Sequence, residues 1–339
     1  MNAEQLHAVV MAMVEKGRGI LAADESGPTI KKRFDAINTE STEENRRAYR
    51  EMLFTTPGVG EHISGVILYD ETIRQSCADG TPFTKLLAAN NMIPGIKVDE
   101  GAKALPGFPG EKVTEGLDGL RERLAEYAKL GAKFAKWRAV IDIAAGIPTD
   151  FCIRANAQAL ARYAALCQEG GIVPIVEPEV LMDGAHDMAR CEEVTSETLS
   201  QVFRELHRHR VLLEGMVLKP NMVISGKKCP TQASVEQVAA ATVRCLRRYV
   251  PSAVPGIAFL SGGQSDEVAT AHLNAMNAMG SLPWHLTFSY GRALQAPALK
   301  AWAGKKETVA AGQKALALRA RLNGLASKGA YRADMERAA

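Results

Sequence analysis

The clearest strand in the sequence is GIVPIVEPE, residues 171–179. Val and Ile dominate its first half, and the apolar run has the length of a β-strand. The run ends in charge, with Glu177 and Glu179 two positions apart. Side chains alternate between the two faces of a strand, so these two carboxylates point the same way. The stretch therefore predicts a strand that carries a pair of carboxylates at its carboxyl end.

Seven further apolar runs of strand length surround this one, and each ends in Gly, Pro or a charged residue. They are GRGILAAD (17–24), HISGVILY (62–69), PGIKVD (94–99), AKFAKWRAVI (132–141), LEGMVLKP (213–220), PGIAFLSGG (255–263) and HLTFSYG (285–291). The runs start roughly 30–45 residues apart, which is enough for a strand, a crossover helix and their loops. Stretches with helical spacing lie between them, such as DGLRERLAEYAKLG (118–131) and VEQVAAATVRCLRRYV (235–250).

Alternating strands and helices imply a parallel sheet. Eight such units fit a closed barrel better than an open doubly wound sheet, which usually has fewer strands. The Pro/Gly-rich loop at 103–116 is too short to be a domain boundary, and no linker or shift in composition divides the chain. We therefore expect an α/β fold, a single (β/α)₈ TIM barrel over residues 1–339, with an N-terminal amphipathic helix and a C-terminal helical tail.

Composition narrows the class of protein. The 339 residues carry a formal net charge of +3, and the basic pairs Lys227–Lys228 and Arg247–Arg248 have no interleaved aromatic side chains, so nucleic-acid binding is not expected. The sequence contains no apolar run of about 18 residues, which a membrane span needs. Six scattered cysteines without a Cys-x-x-Cys pair indicate a reducing compartment. We expect a cytoplasmic protein that binds neither nucleic acid nor membrane.

Metal and nucleotide cofactors are not predicted. His186 and Asp187 follow the strand-end glutamates, and His207 and His209 lie in HRHR, but neither set has a spacing that closes a metal site. No glycine fingerprint follows the first strand, so a dinucleotide is not expected. His285, which has apolar neighbours on both sides, is interpreted as a packed core histidine.

Charged residues gather at the carboxyl ends of the predicted strands, where barrel active sites are built. In chain order they are Asp24, Lys97, Asp99, Lys136, Arg138, Glu177, Glu179 and Lys219. A buried lysine is costly unless it is paired or neutral, so several lysines and carboxylates at one barrel mouth indicate a working site. A structural network of ion pairs is the alternative that the pattern leaves open.

Lys219 is the candidate nucleophile. It lies in EGMVLKPNM, an otherwise apolar strand followed by proline. Burial, together with repulsion from a nearby Lys136, disfavours the ammonium form, so we expect part of the amine to be neutral near neutral pH. Attack on a ketone requires a neutral amine. A lysine that reaches solvent from the end of a strand is the alternative.

The last two strand ends predict a site for an anion. Gly262 and Gly263 let backbone N–H groups approach an oxyanion, Ser261 adds a hydroxyl group, and Arg292 adds a guanidinium group that can bind with two hydrogen bonds. Phosphate sites in barrels commonly use the loops after the seventh and eighth strands.

Eight stretches, in this order, resemble those of class I fructose-bisphosphate aldolases, most closely from about Gly17 to Lys306. They are GRGILAADES, NTESTEENRRAYR, GIKVD, FAKWR, GIVPIVEPE, LLEGMVLKPNM, FLSGGQS and LTFSYGRALQ. The resemblance implies reversible, metal-independent cleavage of fructose 1,6-bisphosphate through a lysine Schiff base. It also implies sugar phosphates as binding partners, no cofactor, and a homotetramer.

The resemblance assigns a role to each matching residue. Lys219 of LKPNM forms the Schiff base, with Asp24 and Glu177 as acid/base groups. The implied catalytic set is Lys219, Glu177, Asp24, Lys136 and Glu179. The implied substrate- and phosphate-binding set is Ser26, Thr29, Lys32, Arg33, Lys97, Arg138, Ser261, Gly262, Gly291 and Arg292.

One departure concerns the end of the sequence. Animal members of the family end in a tyrosine that helps to transfer the C3 proton, whereas this sequence ends MERAA. Tyr331 lies several residues earlier, and we do not assign the role to it. The resemblance therefore implies that another group or water serves this step.

Two alternatives stay open at this point. A transaldolase or deoxyribose-phosphate aldolase shares the Schiff-base chemistry but not these stretches. A non-catalytic barrel that binds a partner through its surface is the alternative from another class, but it would not need the lysines and carboxylates of the barrel mouth.

Overall fold

Eight parallel strands close into a barrel in the computed structural model, which describes residues 2–337. With the two strands of a small separate sheet, the strands are β1 (Gly19–Ala23), β2 (Ile63–Leu68), β3 (Ile93–Lys97), β4 (Ala102–Ala104), β5 (Lys112–Thr114), β6 (Phe134–Ile141), β7 (Val173–Val180), β8 (Val217–Leu218), β9 (Gly256–Phe259) and β10 (His285–Tyr290). Around the barrel the order is β1, β10, β9, β8, β7, β6, β3, β2. Each predicted run overlaps one barrel strand, so the predicted fold class is confirmed.

Helices connect the strands and cover the outside of the barrel. They are α1 (Ala3–Met13), α2 (Gly27–Asp35), α3 (Glu43–Phe54), α4 (Asp70–Ile73), α5 (Phe83–Ala89), α6 (Leu120–Leu130), α7 (Asp150–Glu169), α8 (Met188–Arg208), α9 (Val235–Tyr249), α10 (Asp266–Asn277), α11 (Arg292–Trp302) and α12 (Val309–Ala326). Several helices begin at a residue whose side chain caps the first turn. At the start of α9, Ser234 and Gln237 form a reciprocal capping box. Caps of this kind satisfy N–H groups that have no partner within the helix.

Apolar packing closes the amino-terminal end of the barrel. Leu6, Val10 and Met13 form the buried stripe of α1 and pack in one cluster with side chains from inside the barrel. Phe134 fills this interior so tightly that a Cβ built on Gly95 would lie 2.2 Å from its ring. With this end filled by apolar side chains, the polar residues collect at the carboxyl ends of the strands.

Three local features differ from the sequence-based expectations. The predicted loop at 103–116 contains part of a hairpin, because β4 and β5 pair antiparallel from Ala102 to Thr114. The sixth strand is shorter than the run 213–220, since Leu213–Gly215 forms a 3₁₀ turn and only β8 is paired. His285 is exposed and its ring Nδ1 lies 3.0 Å from the carbonyl oxygen of Val14, so the core interpretation was wrong.

Two findings bear on the classes of protein considered above. Among the helices that the structure describes, none combines the length and the apolar character that crossing a bilayer requires. All six cysteines are free thiols, and only Cys229 is not buried.

Candidate active site

The carboxyl ends of the barrel strands surround a cavity of about 1320 Å³. Every one of the fifteen site residues predicted from the sequence lines this cavity. Gly263, which the sequence argument also included in the anion site, adjoins the cavity without lining it. The residues share one space because parallel strands bring all their carboxyl ends to the same rim.

Lys219 follows β8 directly and projects into this cavity. Its backbone N–H donates to the carbonyl oxygen of Val176 on β7, at 2.8 Å, which continues the barrel pairing one residue past β8. The residue is only 4% exposed. Its Nζ lies 3.1 Å from Oε1 of Glu177. The amine therefore does not reach out to solvent, which excludes the alternative of an exposed strand-end lysine.

Lys136 lies among three carboxylates. Its Nζ is 2.7 Å from Asp24, 3.5 Å from Glu177 and 3.9 Å from Asp99. Burial by itself lowers the pKa of Lys136, but the three negative charges outweigh it and raise that pKa well above its usual range. The cavity thus keeps a permanent positive charge close to the reactive amine.

Asp24 is the carboxylate that lies closest to the ammonium group of Lys136. Burial by itself raises the pKa of Asp24, but the charge of Lys136, that of Lys219 and a hydrogen bond from Lys136 hold it well below its usual range. The carboxyl group of Asp24 is therefore ionised near neutral pH.

Glu177 lies between the two lysines. Its Oε1 faces Lys219 and its Oε2 faces Lys136, and among residues 2–337 the buried Oε2 has no hydrogen-bond partner. From the sequence we expected Lys136 to act on Lys219 by repulsion, and the carboxylate between the two lysines was not predicted. An acceptor oxygen without a partner, next to a reactive amine, can take up and return protons.

Arg138 and Glu179 form a pair at the cavity wall. The guanidinium Nε donates to Oε2 of Glu179, and the backbone N–H of Arg138 donates to Oδ2 of Asp99 at 3.2 Å. Lys97 pairs with the other oxygen of Asp99 at 2.7 Å. Asp99 therefore contacts three of the predicted residues, Lys97, Lys136 and Arg138, and holds them in position at the cavity wall.

The turn at Ser261–Gly263 has the backbone of an anion site. Gly262 and Gly263 have φ values of +58° and +80°, a left-handed pair that only glycine adopts easily. Gln264 donates from its backbone N–H and from Nε2 to the carbonyl oxygen of Ser261, at 3.0 and 2.9 Å. His272 supports Gln264 at 2.6 Å, and burial lowers the pKa of this histidine to about 4, so the ring is neutral near pH 7. The turn is thus held rigidly from behind.

A second polar group lies at the first turn of α2. Ser26 is its N-cap, and the Oγ of Ser26 lies 3.2 Å from Oγ1 of Thr29, so both hydroxyl groups lie at the positive end of the helix. Lys32 is exposed on the same helix. Lys97 ends β3, which lies opposite β9 in the closed order of strands. Lys97 therefore lies across the cavity from the Ser261–Gly263 turn, and this separation suits a ligand with an anion at each end.

A buried network that was not predicted from the sequence lies next to this second group. Glu25 binds Arg33 and Arg50, the latter at 2.5 Å, and Gln295 donates to Glu25 at 2.8 Å and to the carbonyl oxygen of Ala22 at 2.6 Å. The network ties the end of β1 to α3 and α11. One signal was present: Glu25 follows Asp24 directly after the apolar run of β1, and a buried carboxylate needs a cation.

Ser289 on β10 was also missed. Its residue is 1% exposed and lines the cavity, and within the described part of the chain its hydroxyl group has no hydrogen-bond partner. A metal centre has no counterpart in the described residues, where no three His, Cys, Asp or Glu side chains are grouped to hold an ion.

Several known proteins are similar to this chain over nearly its whole length. A family model described as fructose-bisphosphate aldolase class-I matches residues 5–339. A probable fructose-bisphosphate aldolase class 1 of Xanthomonas campestris is 59% identical over 333 residues, which are 98% of this chain and 100% of the relative. Fructose-bisphosphate aldolase 2 of Caenorhabditis elegans is 55% identical over 97% of this chain and 90% of the relative. A crystal structure of fructose-bisphosphate aldolase from Plasmodium falciparum, in a complex with TRAP and a small-molecule inhibitor, matches with a TM-score of 0.96 and 53% identity over 97% of this chain and 96% of that one.

Proposed function

The chain belongs to the class I fructose-bisphosphate aldolase family, and on that premise we propose which of its residues carry the reaction. As a member of this family it is a lyase that reversibly cleaves fructose 1,6-bisphosphate into dihydroxyacetone phosphate and glyceraldehyde 3-phosphate. The class also implies a Schiff base on lysine and no need for a metal. The family assignment decides against the transaldolase and scaffold alternatives.

Lys219 is the proposed nucleophile. The observation that carries this assignment is the burial of its amine 3.1 Å from the carboxylate of Glu177. The neutral amine that attack requires arises when Glu177 accepts a proton from Lys219. A covalent bond to the substrate then divides one difficult cleavage into several easier steps.

Formation of the Schiff base takes two steps. The nitrogen of Lys219 attacks C2 of the open-chain ketose, the electrons of the C=O bond move to oxygen, and this oxygen becomes a hydroxyl group with the proton that the nitrogen loses. Protonated Glu177 donates to this hydroxyl group, which leaves as water, and the nitrogen lone pair forms the C=N bond of the iminium. Glu177 is suited to both transfers because one of its carboxylate oxygens faces the amine of Lys219. The other oxygen accepts no hydrogen bond within the described structure.

Cleavage uses the iminium as an electron sink. Asp24 or Glu177 removes the C4 hydroxyl proton, the C4 oxygen forms a carbonyl group, and the electrons of the C3–C4 bond move into the C2=N system. Glyceraldehyde 3-phosphate leaves, and protonation at C3 followed by hydrolysis releases dihydroxyacetone phosphate. Lys136 stabilises the negative charge that develops on substrate oxygen. Glu179 acts through Arg138, which it orients at the cavity wall.

The two phosphates are assigned to the two sides of the cavity. One phosphate is assigned to Ser261, Gly262, Gly291 and Arg292. The other phosphate is assigned to Ser26, Thr29 and Lys97. Additional positive charge comes from Lys32, Arg33 and Arg138. Support comes from the left-handed glycine turn after β9, from the helix N-terminus after β1 and from Lys97, whose strand lies opposite β9.

Replacement of Lys219 tests the proposal. Lys219→Met keeps the length of the side chain and removes the nucleophile, so we expect turnover to fall by at least about a thousandfold while the protein stays folded. Lys31→Met, on the exposed surface of α2, is the matched control and should retain full activity. Turnover by Lys219→Met within tenfold of the wild type would refute the covalent role, provided that circular dichroism shows a native fold.

The oligomeric state and the cellular location of the protein are also proposals. We infer a homotetramer from the family resemblance, and sedimentation should give about four times the chain mass of 36.5 kDa. We infer a cytoplasmic location from six free thiols.

Tyr331 does not line the cavity, because its hydroxyl group binds Glu336 at 2.9 Å, and Ala338 and Ala339 lie outside the described residues. The C3 proton transfer is therefore assigned to another group or to water.

A further inference from the structure

Two loops with no role so far flank the turn at Ser261–Gly263. Residues 182–187 follow β7, and residues 225–228 lie in the irregular segment between β8 and α9. Three backbone hydrogen bonds join them: Gly226 N–H to His186 O at 2.9 Å, Lys227 N–H to Met182 O at 2.7 Å, and Lys228 N–H to Gly184 O at 3.0 Å. These flanking loops therefore form one unit at the rim of the cavity.

The flanking loops place one side chain against each glycine of the turn. A Cβ built on Gly262 would lie 3.3 Å from Sδ of Met182. A Cβ built on Gly263 would lie 2.8 Å from Nζ of Lys227 and 2.8 Å from Nη2 of Arg292. Since both cations are this close to one point, they are no more than about 6 Å apart, where like charges repel.

One carboxylate compensates this repulsion. Oδ1 of Asp183 lies 2.8 Å from Nζ of Lys227. The hydrogen bond from Lys227 lowers the pKa of Asp183, and the charge of Arg292 contributes further. The side chains of Lys227 and Asp183 are 39% and 62% exposed. An exposed pair of this kind contributes little to stability and is easily exchanged for another partner.

We propose that Lys227 is a further ligand for the phosphate bound at the Ser261–Gly263 turn, and that Asp183 holds its ammonium group until phosphate replaces the carboxylate. The proposal rests on the proposed function, which assigns this turn and Arg292 to a phosphate. A phosphate dianion carries more charge than one carboxylate and can bind both cations at once. Arg292 gives two directed hydrogen bonds, whereas Lys227 acts as a point charge.

The first test compares two neighbouring lysines. Lys227→Met should raise the KM for fructose 1,6-bisphosphate roughly 5- to 20-fold and change kcat by less than about twofold, because a phosphate contact is made equally in ground and transition states. Inhibition by inorganic phosphate should weaken in the same proportion. Lys228→Met removes the same charge one position away and should change KM by less than about twofold, since an exposed charge with no direct contact contributes little. Lys227→Arg should restore most of the affinity.

A double-mutant cycle tests the exchange of partners. Asp183→Asn should lower KM roughly two- to threefold in the wild-type background and clearly less in the Lys227→Met background, because Lys227 is the hydrogen-bonded partner of Asp183 and Arg292 acts on it only at longer range. A KM that rises in Asp183→Asn would overturn the exchange.

Arg292→Ala separates this proposal from the one on which it rests. If Arg292→Ala raises KM tenfold or more and Lys227→Met behaves like Lys228→Met, Lys227 is not a ligand but the phosphate site stands. If neither change affects KM, the turn does not bind phosphate and both assignments fall.

Discussion

Removal of the cation at the centre of the cavity should destabilise the protein in a way that depends on pH. Lys136→Met takes away an ammonium group that lies within 4 Å of all three carboxylates, those of Asp24, Glu177 and Asp99. At an effective dielectric constant of 20, each charge pair at about 4 Å is worth about 4 kcal/mol before the cost of desolvation. Removal of one partner from a buried ion pair costs a net 3–5 kcal/mol, as an order of magnitude. For a chain of this length such a loss corresponds to a fall in Tm of about 5 °C.

The direction of the pH effect follows from Asp24. In the wild type its pKa is depressed, so the folded state binds fewer protons than the unfolded state, and this stabilisation is lost only as the pH falls below the unfolded value of 3.8. In Lys136→Met only burial and the weaker charges of Lys219 and Lys97 remain, and we expect burial to dominate and to raise the pKa of Asp24 above the unfolded value. The folded variant then binds more protons, so its stability falls as the pH rises from about 4 to 7. The deficit should be largest at pH 8 and smaller at pH 5.

Scanning fluorimetry at pH 5 and pH 8 measures this difference. Lys31→Met is the control, because it breaks an exposed pair with Asp35 and should change Tm by less than about 1 °C at either pH. Equal losses of stability for Lys136→Met at the two pH values, or no loss at all, would refute the role of Lys136 as the balancing charge.

Two further predictions concern the chemistry. EDTA should leave activity intact, because class I chemistry uses no metal; strong inhibition by the chelator in a standard cleavage assay would contradict the assignment. Glu177→Gln should lower kcat by about a hundredfold or more, because the amide cannot donate the proton that releases water from C2. Borohydride should then trap less substrate on the enzyme per unit time, and trapping and turnover at wild-type rates would exclude Glu177 as the proton donor.

The sequence was most informative where charge interrupts an apolar strand. Lys136, Glu177 and Lys219 each follow or interrupt a run of strand length, and parallel strands bring such positions to one rim. Their convergence was therefore predictable without knowledge of any distance. The bridging position of Glu177 was not, because it depends on side-chain conformations in three neighbouring strands.

Long-range contacts account for most of what was missed. Glu25 and Gln295 are 270 positions apart in the chain, and only the closure of β1 against β10 brings them together. The hairpin of β4 and β5 was missed for a different reason, because its strands have three residues each and flank a Pro/Gly-rich turn. His285 was misplaced because apolar neighbours in sequence suggested burial, whereas a strand residue takes the face opposite to both neighbours.

Chemical capture of the covalent intermediate is the most direct test of the central claim. Reduction with borohydride in the presence of dihydroxyacetone phosphate, followed by peptide mapping, should place the reduced adduct on Lys219 alone. An adduct on Lys136, Lys97 or any other lysine, or none under turnover conditions, would contradict a Schiff base formed by the buried amine beside Glu177.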